Sequence, residues 1–454
     1  MKRLALLLLP VFWLSCGTNI VTWDHDDPAS DTATIDGHPA WIMQGNIYEV
    51  NVRQYTPEGT FTAFAGHLDR LRDMGVQTLW FMPIQPISQK DRKGRLGSYY
   101  AIADYTATNP EFGTMDEWKS LVQQAHERGF RVIMDWVPNH TGADHRWLEK
   151  YPAFYVKDSS GNFVAPFDWT DVRKLNYGNA QMTDSMIAAM KFWVTETGID
   201  GFRCDVAGEV PKAFWTRAIR ELKQVKNLFM LAESNDAWLH EAGFDASYPW
   251  DVFVAMKQVA AGQRPATSID SVLRRNDTAF LPNAIRMYFT SNHDENSWNK
   301  ADYQTMPGPV HAPFAVLTQT LPRSVPLIYS GQEEPVRDSL SFFYKDTIAF
   351  SRFERAAFYK TLLTLRASNP ALAANVPGKK LRTSNDATVY AFEREKNGNR
   401  VLVVVNLHKE PQQFTWVDRP SAGEWKNVFT GAIEPVAAGF GIEPWGYVVY
   451  ELRK

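Results

Sequence analysis

The chain has 454 residues, of which 44% are hydrophobic and 22% are charged, a composition that supports a large packed core and excludes global disorder. The formal net charge is -3, and because both signs are mixed along the chain we expect no nucleic-acid partner. Aromatic residues make up 13% of the chain, which suits sugar-binding surfaces but equally a large core.

Residues 1–16 have the order of a secretory signal. Lys2 and Arg3 precede an apolar run that is shorter than the roughly 20 residues of a membrane-spanning helix. Leu14-Ser15-Cys16-Gly17 resembles a bacterial lipoprotein cleavage site, which would attach a lipid to Cys16. The alternative is an ordinary secretory signal with an incidental cysteine. We therefore expect an extracytoplasmic protein that is anchored to a membrane through a lipid on Cys16.

Beyond residue 39, short apolar strands alternate with longer helical segments, an order typical of parallel strands joined by crossover helices. Eight strands are predicted, at Ile47 to Gln54, Gln77 to Ile84, Arg131 to Val137, Gly201 to Val206, Leu228 to Glu233, Asp245 to Tyr248, Ile285 to Asn292 and Pro326 to Gly331. The clearest helices are Phe61 to Met74, Met115 to Arg128, Ala180 to Thr197, Pro211 to Lys223 and His311 to Thr320.

Eight such units within residues 40–374 predict an α/β fold of the (β/α)₈ barrel (TIM barrel) type. A doubly wound open sheet is the alternative, but no glycine-rich phosphate turn follows the first strand. Residues 141–179 exceed the length of an ordinary loop and predict a short inserted subdomain after strand three. Alternating runs in residues 375–454 predict an all-β C-terminal domain of the β-sandwich type.

Polar residues occur where the predicted barrel strands end, which is where barrel enzymes carry their active sites. Strand four carries Arg203, Cys204 and Asp205, strand five ends at Glu233, and strand seven is followed by Asp294. Side chains alternate along a strand, so that Arg203 and Asp205 share one face while Cys204 packs against the helices. Arg203 could hold Asp205 in its charged form, although such a pair can also be purely structural.

Two carboxyl groups on adjacent strands suit glycoside hydrolysis with retention, which needs a nucleophile and a group that acts first as acid and then as base. Asp205 and Glu233 are the candidates. Together with His140 and His293 they are also residue types that bind metals. No short-spaced histidine pair supports a metal, so we expect none at this site.

These segments resemble the α-amylase family of glycoside hydrolases over roughly residues 45 to 335. The resemblance implies a retaining hydrolase acting on α-1,4-linked glucans or maltooligosaccharides. It implies Asp205 as the nucleophile, Glu233 as the general acid/base and Asp294 as a carboxylate that binds sugar hydroxyls and stabilises the transition state. It further implies the following substrate-binding residues: Arg203 orienting the nucleophile, His140 and His293 bonding the glucose, and Tyr100 stacking beneath it.

The sequence departs from the family pattern in two places. Many amylases have a Lys-His pair where this chain has Gly208 and Glu209, which leaves the acceptor-side preference open. Many also bind calcium beside the inserted subdomain, and Asn139 matches one ligand, but Lys174 stands where an aspartate ligand is common. No cofactor is required, and we expect calcium to be absent or weak, with Lys174 neutralising Asp168 or Asp171 instead.

Related activities remain alternatives at this point. A transglycosylase, an α-glucosidase or a cyclodextrin-degrading enzyme of the same family would use the same covalent intermediate. A non-catalytic carbohydrate-binding barrel is the alternative from another class, because a fold does not fix a function.

Overall fold

The computed structural model describes residues 31–300, 303–336 and 338–452. The expected signal segment and Cys16 lie outside the described residues. None of the helices in these ranges is long and apolar enough to cross a membrane.

A sheet of eight parallel strands forms the centre of the molecule. Its strands are β1 Ile47–Val50, β2 Thr78–Phe81, β3 Arg131–Trp136, β4 Gly201–Cys204, β5 Phe229–Ala232, β6 Ala246–Ser247, β7 Ile285–Arg286 and β8 Leu327–Tyr329. They pair in sequence order from β1 to β7, and β8 pairs with β1. The ring closes between β7 and β8, because the Val325 N–H donates to the Arg286 carbonyl at 3.0 Å and the Leu327 N–H to the Tyr288 carbonyl at 2.9 Å. The closed (β/α)₈ barrel is therefore confirmed, and the open sheet is excluded.

Both faces of the barrel strands are buried. Ile47, Trp80 and Leu231 belong to the core cluster that includes the barrel interior. The residues that alternate with them along each strand point outward and pack with the surrounding helices in a second core cluster. Cys204 is fully buried in this outer cluster, as is Trp215. This alternation directs the intervening side chains Arg203 and Asp205 toward the barrel mouth.

Helices surround the sheet at Phe61–Ala65, Leu68–Met74, Met115–Glu127, Ala180–Thr197, Lys212–Lys223, Trp238–Glu241, Trp250–Ala260, Thr267–Ala279, His293–Asn299, His311–Thr320 and Ala356–Ser368. The helix Met115–Glu127 begins with a capping box in which Thr114 and Glu117 satisfy each other's backbone N–H groups. Ala180–Thr197 ends at Gly198, whose φ of 73° is the left-handed cap that favours glycine.

Every predicted barrel strand ends earlier than the sequence suggested, and the difference is largest in the first and the seventh. The first ends at Val50, and residues Val52–Tyr55 form a short helix, because the chain has passed the barrel rim and finds no neighbouring strand. The seventh strand pairs with its neighbour only over Ile285–Arg286, and His293 is the first residue of the helix His293–Asn299. Asp294 therefore lies in the first turn of a helix whose Asn292 cap accepts the Glu295 N–H at 2.8 Å.

The remaining elements lie outside the barrel. After β3, the strands His140–Gly142 and Val172–Lys174 pair antiparallel and frame the inserted subdomain. Beyond the barrel the chain forms β9 Gly378–Leu381, β10 Val389–Lys396, β11 Asn399–Asn406, β12 Gln412–Thr415, β13 Glu424–Asn427, β14 Ile433–Pro435, β15 Gly439–Ile442 and β16 Tyr447–Leu452. Six of these form one sheet and β12 pairs with β15, giving the all-β C-terminal domain.

Candidate active site

Arg203 lies at the centre of the carboxyl-end rim and is fully buried. Its Nη1 donates to Asp135 Oδ1 at 3.0 Å and to Asp205 Oδ1 at 3.0 Å. Its Nη2 forms an ion pair with Glu233 Oε1 at 2.9 Å, and its Nε donates to the Tyr248 hydroxyl at 3.3 Å. A buried guanidinium needs acceptors for its N–H groups, and here three of the acceptors are carboxylates, so this one cation fixes side chains at the ends of three neighbouring strands.

The buried carboxyl groups around Arg203 have shifted pKa values. Burial raises the pKa of Asp135 to about 6, although Arg203 opposes the shift. Burial and the neighbouring Glu233 carboxylate raise the pKa of Asp205 well above its usual range, again against Arg203. Burial disfavours the charge on Arg203, but the carboxylates of Asp135 and Glu233 outweigh the effect of burial. The pKa of the guanidinium is therefore raised above its usual value. Arg203 therefore stays charged, while Asp135 and Asp205 bind protons more tightly than isolated carboxyl groups would.

The turn after β4 connects the two predicted catalytic carboxyls. Val206 has φ 36° and ψ 47°, a left-handed conformation that is rare for a β-branched residue. Its backbone N–H donates to Glu233 Oε2 at 2.8 Å. With Arg203 on Oε1 and Val206 on Oε2, both oxygens of Glu233 are held in place.

Tyr100 and His293 form the opposite side of the site. The Tyr100 hydroxyl lies 3.1 Å from Asp135 Oδ2 and 2.7 Å from His293 Nε2, and the two rings stack at 5.5 Å. His293 Nδ1 lies 2.5 Å from Glu49 Oε1, and its Nε2 lies 3.4 Å from Asp294 Oδ2. Burial opposes the charge, but Asp294 and Glu49 outweigh it and raise the pKa of His293 to about 9. His293 is therefore an imidazolium at neutral pH.

His140 belongs to the same rim but has a different environment. Its ring lies edge-on to Trp169 at 5.5 Å, and its Nδ1 lies 3.3 Å from the Asn139 side-chain nitrogen. Burial lowers the pKa of His140 to about 3. This histidine is therefore neutral and can act as a hydrogen-bond partner without adding charge.

The structure thus brings together all seven predicted site residues on one rim, and it adds residues that the sequence analysis missed. Asp135 lies directly opposite Arg203 in the parallel register of β3 and β4. Glu49 orients His293, and Tyr248 contacts Arg203. The available signal was an acidic residue inside an apolar strand, as in Ile47–Val50 and Arg131–Trp136, because a buried charge needs a partner.

The region beside the inserted subdomain differs from the expected charge arrangement. Asp171 is buried, and the cation beside it is Lys93, with Nζ 3.4 Å from Oδ1. Among the residues that the structure describes, Lys174 forms no ion pair with Asp168 or Asp171, so the prediction that it neutralises one of them is wrong. Lys174 lies opposite His140 in the antiparallel register. Within the described ranges, no group of three or more His, Cys, Asp and Glu side chains could hold a metal ion.

Buried acids around one guanidinium, at the carboxyl ends of barrel strands, are typical of an enzyme site. Comparisons with known proteins identify the family. The sequence model of the α-amylase catalytic domain matches residues 26–351, and that of the α-amylase C-terminal all-β domain matches residues 382–446. The chain belongs to the α-amylase family of glycoside hydrolases.

Individual relatives are more distant. The α-amylase MalA of Haloarcula japonica is 27% identical over 424 residues, which are 89% of this chain and 60% of that protein. A cyclomaltodextrinase from a Bacillus species is 26% identical, over 82% of this chain and 74% of its own length. The crystal structure of the maltogenic α-amylase AmyB of Thermotoga neapolitana superposes with a TM-score of 0.83 at 28% identity, covering 90% of this chain and 98% of AmyB.

Proposed function

We propose that this protein hydrolyses α-1,4-glucosidic bonds in starch-like glucans or maltooligosaccharides, with retention of the anomeric configuration. The observation that carries the proposal is the contact of one buried guanidinium, Arg203, with both Asp205 and Glu233. Retaining glycosidases require two neighbouring carboxyl groups, one as nucleophile and one as acid and then base.

In the first step, a carboxylate oxygen of Asp205 attacks C1 of the glucose at the cleavage point, and the bond from C1 to the leaving oxygen breaks. Glu233 gives its proton to that oxygen. In the second step, Glu233 removes a proton from water, the water oxygen attacks C1, and the ester to Asp205 breaks. Both side chains return to their starting states, and the product keeps the α configuration.

The local contacts support these roles. Asp205 Oδ1 is fixed by Arg203 at 3.0 Å, whereas Oδ2 accepts no hydrogen bond from any side chain or backbone group in the described ranges. Glu233 lies at the end of the adjacent strand, and Val206 N–H holds its Oε2. Burial and the neighbouring Glu233 carboxylate raise the pKa of Asp205, whereas Arg203 lowers it. Retention needs one proton on the pair, which Glu233 carries in this proposal while Asp205 is the carboxylate.

The other rim residues suit the binding of one glucose. Tyr100 offers an aromatic ring beside the cluster, and stacking on a sugar's apolar face is a usual role for such a ring. In this proposal His293, which is charged and held by Glu49, and neutral His140 bond sugar hydroxyls. The Asp294 side chain is 35% exposed, more than those of Asp205 and Glu233, which suits a group that accepts hydrogen bonds from the substrate.

The residues on the acceptor side of the cleft do not distinguish hydrolysis from the related activities. A Cβ atom on Gly208 would lie 2.7 Å from Asp236 Oδ2 and 3.0 Å from Ser234 Oγ, so a carboxylate and a hydroxyl lie where a lysine occurs in many amylases. Transglycosylation, α-glucosidase action and cyclodextrin cleavage use the same two carboxyl groups as the hydrolysis of linear chains. The four activities differ in the acceptor that is preferred and in the shape of the glucan that is bound. They are therefore outcomes of one experiment.

That experiment is product analysis on starch, maltoheptaose, cyclodextrin and pullulan, with Glu233→Gln as the blank. We expect shorter maltooligosaccharides from starch and maltoheptaose. Products longer than the substrate would indicate a transglycosylase, and glucose as the sole product would indicate a glucosidase. Cleavage of cyclodextrin faster than of starch would indicate a cyclodextrin-degrading enzyme. Binding without release of reducing sugar from any of the four would overturn the proposal in favour of a carbohydrate-binding barrel.

A further inference from the structure

An exposed tryptophan lies on the helix that carries Asp294. Trp298 is 55% exposed, although large aromatic side chains are usually well buried. It occupies the helix His293–Asn299, four residues after Asp294. Residues four apart lie on the same face of a helix, so Trp298 and Asp294 share one face of this helix.

Trp298 is the outer end of a row of rings that starts inside the site. The Tyr100 ring stacks on Phe342 with centroids 6.1 Å apart and planes 17° apart. Phe342 in turn lies 5.2 Å from Trp298 at an angle of 38°. We call Tyr100, Phe342 and Trp298 the aromatic row. It leads from the buried carboxylate cluster to solvent.

The loop that carries Phe342 is held by buried polar side chains. Gln54 Nε2 donates to the carbonyls of Ser341 at 2.7 Å and Tyr344 at 2.8 Å. On the other side, the Leu340 N–H donates to Asn296 Oδ1 at 2.8 Å, and Ser297 Oγ donates to the Leu340 carbonyl at 2.7 Å. The aromatic row is therefore preorganised before any ligand binds, which lowers the entropic cost of binding.

The position of the row on the barrel rim determines which part of a substrate it meets. Glu233, which would protonate the leaving sugar, follows β5, so the acceptor side of the cleft lies toward that part of the rim. Trp298 follows β7, Phe342 follows β8, and the Gln54 that holds the loop follows β1. In an eight-stranded ring these three strands are adjacent and β1 lies opposite β5, so the row lies on the donor side.

We propose that the aromatic row is a donor-side binding site for an α-glucan chain, in which Trp298 stacks on the second or third glucose on the nonreducing side of the cleavage point. The apolar face of a glucose ring packs on an aromatic ring, while its hydroxyls stay in water. The inference rests on the proposed function for the cleft, and it adds that substrates with several donor-side glucoses are preferred.

The test compares Trp298→Ala with Trp298→Tyr, which keeps a ring, and with Ile433→Ala, which removes an apolar side chain that is 66% exposed in the C-terminal domain. In the otherwise inactive Asp205→Asn background, maltoheptaose binding is measured by calorimetry. We expect Trp298→Ala to weaken binding by roughly 10-fold, the loss of one stacking contact. Trp298→Tyr should recover most of that loss, and Ile433→Ala should bind like its parent.

In the active enzyme, the informative quantity is the ratio of kcat/KM on maltoheptaose to kcat/KM on p-nitrophenyl α-glucoside, which has a single donor glucose. Trp298→Ala should lower this ratio by about 10-fold. An unchanged ratio together with unchanged maltoheptaose affinity would overturn the inference while leaving the proposed function intact. A wild-type protein that neither binds nor cleaves maltoheptaose would overturn both, and melting curves of each variant show whether it is folded.

Discussion

Arg203 Nη2 lies 2.9 Å from Glu233 Oε1, so the guanidinium that holds the proposed nucleophile also holds the proposed acid/base. A lysine at this position would bring one point charge on a shorter, flexible stem, and it could not reach all three carboxylates that Arg203 contacts. We expect Arg203→Lys to lower kcat by at least about 100-fold, the effect of misplacing catalytic groups by roughly 1 Å. Steady-state kinetics on maltoheptaose measures the loss.

The matched control is Arg366→Lys. Arg366 is also fully buried, but it donates only to backbone carbonyls, among them Gly45 at 2.7 Å and Ser324. Both variants should unfold more easily, by roughly 3 kcal/mol, because each leaves buried partners of a guanidinium without their donor. Only Arg203→Lys should lose turnover in the folded protein. Equal turnover in the two variants would show that Arg203 has a purely structural role.

The imidazolium of His293 makes stability depend on pH. Its pKa is raised to about 9 in the folded protein, against 6.5 for an ordinary histidine. Its stabilising contribution is therefore fully present below about pH 6.5 and is lost as the pH rises through about 9. We expect the free energy of unfolding of the wild type, relative to His293→Asn, to fall by up to roughly 3 kcal/mol across this range.

Urea unfolding at pH 6, 7.5 and 9.5 measures that difference. The control is His145→Asn, because burial lowers the pKa of His145 to about 3, and this histidine stays neutral over the whole range. Because an unfolded histidine titrates near 6.5, His145→Asn should match the pH dependence of the wild type between pH 7.5 and 9.5, where this side chain is neutral in both states. A His293→Asn variant with the same slope as the wild type would show that His293 is neutral in the folded protein.

The sequence predicted the barrel and the site because both follow from local patterns. Apolar runs identify strands that are buried on both faces, and alternation along β4 already placed Arg203 and Asp205 on one face. Glu233 could be found in the same way, as a carboxyl at the end of the next strand. The residues at which the strands end could not be predicted from the sequence, because they depend on where the neighbouring strands stop at the rim.

Partners that are distant in sequence were also beyond local patterns. Glu49 and His293 are 244 positions apart, and only closure of the barrel brings them together. The same holds for Asp171, for which sequence proximity suggested Lys174 but the fold supplies Lys93. Trp298 looked like one aromatic residue among many until its contact with Phe342 was known.

The calcium prediction remains to be tested. Lys93 compensates the charge of Asp171 at 3.4 Å, beside the inserted subdomain. We therefore expect exhaustive chelation to change the melting temperature and the activity very little, because a ligand that does not bind the native state cannot stabilise it. A fall of many degrees after chelation, reversed by added calcium, would contradict this expectation.

The membrane anchor is a prediction from residues 1–16 alone. We propose that the mature protein is extracytoplasmic and held by a lipid on Cys16, because a basic, apolar and small-residue order precedes that cysteine. Fractionation of cells that express the wild type or Cys16→Ala provides the test. The wild type should be found with membranes and the variant should be released. Membrane association that survives the substitution, or wild-type protein in the cytoplasm, would exclude the lipid anchor.

The central claim is that Asp205 forms a covalent bond to glucose and that cleavage proceeds with retention. NMR of the first product formed from maltoheptaose tests it most directly, with Asp205→Asn as the control. We predict that the α-anomer appears first and converts to the β-anomer only by mutarotation. We also predict that Asp205→Asn lowers turnover by several orders of magnitude, because the nucleophile is lost. An initial β-anomer would show that water attacks C1 directly, and it would contradict the account.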